Sequence, residues 1–164
     1  MYRLNKHNER ASECFMKMKL LALLAIATLA HAEPKAEFQA LYGTDGTLRE
    51  ANGRTAVSIA SSGATTTYRD SSGRVTATAS GFGLDRLTYR DASGRVCGTA
   101  SQLGTNTTFR DASGRVTGTA SELGNSTTYR DSSGRVLGTA SRMGNSITFR
   151  DSSGRTTGTG TARK

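Results

Sequence analysis

Arginine and a carboxylate recur together at a fixed spacing. The motif Arg-Asp/Glu-Ala/Ser-Asn/Ser-Gly-Arg occurs first as Arg49-Glu50-Ala51-Asn52-Gly53-Arg54, then as Arg69-Asp70-Ser71-Ser72-Gly73-Arg74, and again from Arg90, Arg110, Arg130 and Arg150. A guanidinium is planar, permanently charged and rich in donors, which suits it to sulfate, phosphate and carboxylate groups. Arg69, Arg90, Arg110, Arg130 and Arg150 are therefore a candidate polyanion-binding stripe, suited to acidic polysaccharide, lipopolysaccharide or extracellular DNA without sequence recognition. A purely structural reading competes with it. If the repeats stack as rungs, like charges fall about 4.8 Å apart, and the column Asp70, Asp91, Asp111, Asp131, Asp151 becomes their compensating ladder.

Other chemistry is poorly supplied. His7, His31 and Cys14 all precede Glu33, so a chain cut before Glu33 keeps no histidine and a single cysteine, Cys97. That excludes Ser-His-Asp and Cys-His nucleophile systems and ordinary zinc sites. Cys97 falls where other copies have Thr or Leu, and reads as a tolerated substitution. The carboxylates lie in near-identical turn settings, whereas glycoside hydrolysis needs two differently tuned ones. A calcium loop needs more acid than Asp-x-Ser-Gly-Arg offers. No catalytic residue, metal site or cofactor is expected.

The amino-terminal residues read as an export signal. Lys17 and Lys19 precede an apolar run over residues 20–30, which ends in Ala30-His31-Ala32, a small-x-small cleavage pattern. Eleven helical residues rise about 16 Å, roughly half a bilayer's hydrocarbon core, so no membrane span is expected to remain after cleavage. Residues 1–32 are taken as the signal helix, with Ala30 and Ala32 at the cut. Translation from Met16 or Met18 gives a leader of ordinary length. The whole chain carries a formal charge of +9, and five basic and two acidic residues leave with the leader, so +6 remains.

Residues 33–41 read as a cap or linker, and residues 42–164 as one repeating domain. The period is twenty, with one extra residue near Gly81-Phe82-Gly83-Leu84-Asp85. A unit such as residues 125–144 holds two six-residue pieces rich in Thr, Tyr and Val, which alternate in character and read as strands. Between them Asp131-Ser132-Ser133-Gly134 predicts a type I turn with a bulge, Gly taking the positive φ. The same role falls to Gly73, Gly94, Gly114 and Gly154.

Alternation puts Thr127, Tyr129 and Asp131 on one face and Thr128 and Arg130 on the other. The expected core sets Tyr68, Tyr89, Phe109, Tyr129 and Phe149 against Val75, Val96, Val116 and Val136, with Ala77, Gly98, Gly118 and Gly138 making room for the rings. Leu103, Leu123 and Met143 are expected to close it beneath the second turn. One unit is too small to fold alone, so neighbours must share the core. The fold class is all-β: about six strand-turn-strand repeats, stacked as a β-solenoid or set out as an extended β-hairpin array. Thr156, Gly160 and the last residues read as a polar cap on its carboxyl edge.

The run Gly124-Asn125-Ser126-Thr127-Thr128-Tyr129-Arg130-Asp131-Ser132-Ser133-Gly134-Arg135-Val136 resembles the Rhs or YD repeat of bacterial secreted proteins. It departs from that pattern where Tyr129-Arg130-Asp131 replaces the Tyr-Asp pair. The resemblance implies strand-turn-strand repeats and a cell-surface setting. Together these features predict an exported, non-enzymatic β-repeat protein, periplasmic, surface-held or secreted, acting as a structural or interaction element of the cell envelope. Its partner is itself, as a fibre subunit of functional-amyloid type, or an anionic surface polymer, as a polyanion- or carbohydrate-binding module. No specific nucleic acid is expected. Ice binding, from Thr-x-Thr columns such as Thr117-Gly118-Thr119, is a more distant alternative.

Overall fold

A computed structural model describes residues 45–81 and 85–163. The expected leader with Ala30 and Ala32, the cap over residues 33–41, and most of the insertion near residue 82 lie outside the described residues.

Six hairpins follow one another. Their strands are β1 (Asp45–Glu50), β2 (Thr55–Ser62), β3 (Thr65–Asp70), β4 (Val75–Gly81), β5 (Arg86–Asp91) and β6 (Val96–Leu103), then β7 (Asn106–Asp111), β8 (Val116–Leu123), β9 (Ser126–Asp131), β10 (Val136–Met143), β11 (Ser146–Asp151) and β12 (Thr156–Arg163). Each pairs antiparallel with its sequence neighbours, and β12 also pairs with β1, from Asp45 opposite Arg163 to Glu50 opposite Gly158. The all-β repeat is as expected, but the twelve strands close into an up-and-down barrel rather than a solenoid or an open row of hairpins. β12 is accordingly no polar cap on a free edge: it is bonded to β11 on one side and β1 on the other.

The turns explain the curl. In each Arg-Asp-x-x-Gly-Arg loop the glycine N–H donates to the acidic residue's carbonyl, as in Gly73 to Asp70 at 2.9 Å, and the acidic residue's N–H donates to the second Arg, as in Asp70 to Arg74 at 3.0 Å. With Gly73 at φ 81° this is the expected type I turn plus bulge. The register then slips by one residue directly beyond every such turn, as between Tyr68↔Ala77 and Arg69↔Val75. Bulges repeated at one end bend and twist each hairpin the same way, which is how a sheet closes on itself. At the other end Gly124-Asn125 and its equivalents form two-residue tips, Gly124 at φ 60°, the type II′ geometry that fits strand twist.

The bulge also corrects the expected core. The aromatic row is buried, and each ring faces the small residue expected to make room for it: Tyr68↔Ala77, Tyr89↔Gly98, Phe109↔Gly118 and Tyr129↔Gly138. Strict alternation would turn Val75, Val96, Val116 and Val136 inward too. The extra residue breaks it, and these valines are half-buried or, at Val96, exposed. Leu103, Leu123 and Met143 lie 85–86% exposed on the hairpin tips, so they close no core. In the first hairpin Leu48 stands in the ring position, and the larger Val57 and Ile59 replace the Gly and Ala found opposite the rings elsewhere. Cys97, read from the sequence as a tolerated substitution, is disulfide-bonded.

Candidate functional site

Up-and-down closure gathers all six Arg-Asp-x-x-Gly-Arg turns at one end of the barrel. The expected linear stripe is thus a ring. Arg69, Arg90, Arg110, Arg130 and Arg150 lie on alternate strands and are joined by Arg49 on β1, which completes the circle and was not among the candidates read from sequence. Outside them Arg54, Arg74, Arg95, Arg115, Arg135 and Arg155 occupy the turns, all exposed. Twelve arginines therefore share the rim with six carboxylates, a local surplus of +6. Among the described side chains, the charges placed at the opposite end are Asp45, Asp85, Arg86, Glu122 and Arg142, which nearly cancel.

The expected 4.8 Å stacking of like charges does not occur. An even-numbered strand separates successive arginines, with Thr78 beside Arg90, Thr99 beside Arg110, Thr119 beside Arg130 and Thr139 beside Arg150. Two strand spacings are about 10 Å, beyond the Debye length of about 8 Å at physiological salt, so the repulsion is largely screened. Each inner arginine is also oriented by its own turn. Nη1 donates to the glycine carbonyl four residues on, in all six copies, at 3.0–3.1 Å. That bond uses one of five guanidinium donors and holds the group over the rim.

The carboxylates brace the turns. Asp131 Oδ1 accepts from the Ser133 hydroxyl at 2.6 Å, the Ser133 N–H at 2.9 Å and the Arg135 N–H at 2.9 Å, and Asp70, Asp91, Asp111 and Asp151 repeat the arrangement. In the first turn Glu50 is one methylene longer. There Asn52 takes over, accepting from the Arg54 N–H at 2.9 Å while its own amide donates to Glu50 at 2.7 Å. Gly73, Gly94, Gly114, Gly134 and Gly154 hold φ of 81–85°.

The serine hydroxyl, ahead of the two backbone donors and the nearby arginine, holds the carboxyls of Asp70, Asp131 and Asp151 below the ordinary range against a smaller opposing effect of burial. At Asp91 burial is the largest influence and raises the pKa, but the Ser93 and Arg95 hydrogen bonds together outweigh it. A folded-state pKa below the unfolded value of about 3.9 gives stability that is complete above that pH and lost as pH falls through the folded value. The urea midpoint is therefore expected to stay level from neutrality to about pH 5 and to fall below about pH 4. Asp131→Asn should flatten the fall. An unchanged acid limb in that variant would show that the turn carboxylate carries none of the pH dependence.

The chain matches no family model and no curated protein sequence. Among the described residues no helix is long and apolar enough to cross a membrane.

Proposed function

We propose that this is an exported, non-enzymatic β-barrel serving as an interaction element of the cell envelope, which presents its arginine rim to an anionic polymer such as an acidic polysaccharide or lipopolysaccharide. One observation carries the reading: closure concentrates the +6 surplus on one end, with six guanidinium groups each oriented by a carbonyl. A charged ring at even spacing meets repeating anionic groups without demanding a sequence, and its attraction falls with salt. The export-type leader and the Rhs-like repeat favour the same setting, whether periplasmic, surface-held or secreted.

Competing readings have less support. A fibre grown by strand addition needs an open edge, and β1 and β12 use theirs on each other. Ice binding favours a flat Thr array, whereas this wall is convex and interleaves Thr with Arg. A lipid-spanning barrel needs an apolar outer band, but the outward residues here are mainly Thr, Ser and Arg, while the rings point inward.

Retention on immobilised heparin at rising salt tests the rim. Changing Arg69, Arg90, Arg110, Arg130 and Arg150 to Gln is expected to move elution to markedly lower salt. The pair Arg110→Gln/Arg130→Gln should weaken retention more than Arg86→Gln/Arg142→Gln, which removes equal charge from the opposite end. Equal shifts for the two pairs would reduce the attraction to net charge and overturn the rim assignment.

A further inference from the structure

The end of the barrel away from the arginine rim carries an apolar arc. Leu103, Leu123 and Met143 stand almost wholly in solvent, one at each of the tips that join β6 to β7, β8 to β9 and β10 to β11. Among the described residues the next most exposed large apolar side chain is Val96, at 40%. The first tip has Ser62 at the same place, so the feature belongs to three neighbouring hairpins and not to the repeat as such. The tips are also tied to one another. Glu122 N–H donates to the Thr105 carbonyl at 2.9 Å and Arg142 N–H to the Asn125 carbonyl at 2.8 Å, so each tip is bonded to the strand that leads to the next. Gly104, Gly124 and Gly144 hold φ of 58–60° directly beside the three side chains. The apolar groups are thus presented on fixed backbone, about 10 Å apart, and little backbone freedom is left to lose on binding.

We infer that this arc seats the barrel end-on on a lipid bilayer, its three side chains entering the boundary between head groups and acyl chains. Exposed apolar side chains grouped in this way mark an interaction surface, and three features select lipid over protein. Together the side chains offer on the order of 300 Å² of apolar surface, well under the roughly 800 Å² per partner of a stable protein interface. The gaps between them hold exposed polar residues, Thr105, Asn125 and Asn145. A protein partner would have to match these group by group, whereas head groups and interfacial water are fluid and hydrogen-bond them where they stand. Direction is the third feature. The chain enters β1 at Asp45, at this same end, and residues 31–44 join that entry to the apolar run over residues 20–30. An export leader of that kind brings this end of the barrel nearest the membrane it crosses. Because the charges here nearly cancel, the attraction is apolar and needs no anionic lipid. A barrel seated this way points its arginine rim away from the bilayer.

The chain has no tryptophan, so Leu123→Trp and Ser132→Trp each place a single indole, one on the arc and one on an exposed rim turn. The purified full chain is mixed with phosphatidylcholine vesicles whose acyl chains are brominated, a quencher confined to the bilayer interior. Leu123→Trp is expected to shift its emission to shorter wavelength and to be quenched, and Ser132→Trp to do neither. An apolar leader would hold both reporters to the vesicle alike, so the contrast between the two ends is the measurement. Adding Leu103→Ser and Met143→Ser to Leu123→Trp should remove most of the quenching, since each lost side chain weakens partition about tenfold. All three positions are exposed, and an unchanged circular dichroism spectrum checks the fold. Arg110→Gln/Arg130→Gln should leave binding to these zwitterionic vesicles unaltered, so this inference and the rim reading fail separately. No quenching at position 123, equal quenching at positions 123 and 132, or quenching that survives both added substitutions would each overturn the inference. So would a dimer in lipid-free sedimentation that the same substitutions dissolve, which would make the arc a contact between copies.

Discussion

Gly138→Ala is expected to destabilise the barrel by about 1–3 kcal/mol, far more than an alanine usually costs in a strand. A Cβ built on Gly138 falls 2.3 Å from the Arg150 carbonyl oxygen and 3.4 Å from the Asp151 Cα, and one on Gly118 falls 2.6 Å from the Arg130 carbonyl oxygen. These obstacles are backbone atoms of the next hairpin, held by the ladder between β10 and β11 or between β8 and β9. Nothing flexible can give way, so strands must part or hydrogen bonds bend. Gly138 also lies opposite Tyr129 in the ladder with β9. Ala77 and Val57 hold the equivalent register opposite Asp91 and Asp70, so the close approach belongs to this side of the wall and not to the repeat as such. Urea unfolding checks it: a Gly138→Ala midpoint equal to the parent's would show that the strands accommodate the methyl freely. Thr139→Ala, one residue along on the outer wall, supplies the comparison and should cost little.

Residue chemistry read along one strand was a sound guide, and residue counts across a turn were not. Period-two alternation placed Tyr129 inward and Arg130 outward, and the Asp131-to-Gly134 loop identified its own turn type, because both depend only on local backbone preferences. The valines failed because the same turn that was recognised carries a bulge whose extra residue reverses the face of whatever follows. Val136 lies directly beyond that extra residue, so it leaves the face that alternation alone assigns to it. Leu123 failed differently: an apolar residue was assigned to the core by type, although alternation from Ala120 already points it outward. Closure itself depends on the summed twist of twelve strands, a global quantity that no single unit displays. Hence the arginines were legible as a set and their arrangement as a ring was not.

Removing residues 156–164, which include all of β12, is expected to abolish the folded monomer altogether. In a solenoid or an open row this deletion would cost one terminal strand and leave the other repeats nearly as stable as before, since each unit leans only on its neighbours. In a closed barrel it strips partners from β1 and β11 together and uncovers Leu48, Ile147 and Phe149, which face Gly160 and Gly158 across those ladders. Two unpaired edges flanking an opened apolar interior are a template for association. Sedimentation velocity should therefore show aggregates, with loss of the cooperative unfolding transition. The converse experiment joins the same seam. Thr47 Oγ1 and Thr161 Oγ1 lie 2.9 Å apart although 114 residues separate them in sequence. In a background with Cys14 and Cys97 changed to Ser, Thr47→Cys/Thr161→Cys should form a crosslink within one molecule, visible as faster migration on a non-reducing gel. A loop of that length predicts up to about 4–5 kcal/mol of added stability from restriction of the unfolded chain. A monomeric, cooperatively folding deletion variant together with cysteines that never crosslink would place β1 and β12 apart, and the arginine rim would revert from a ring to a line.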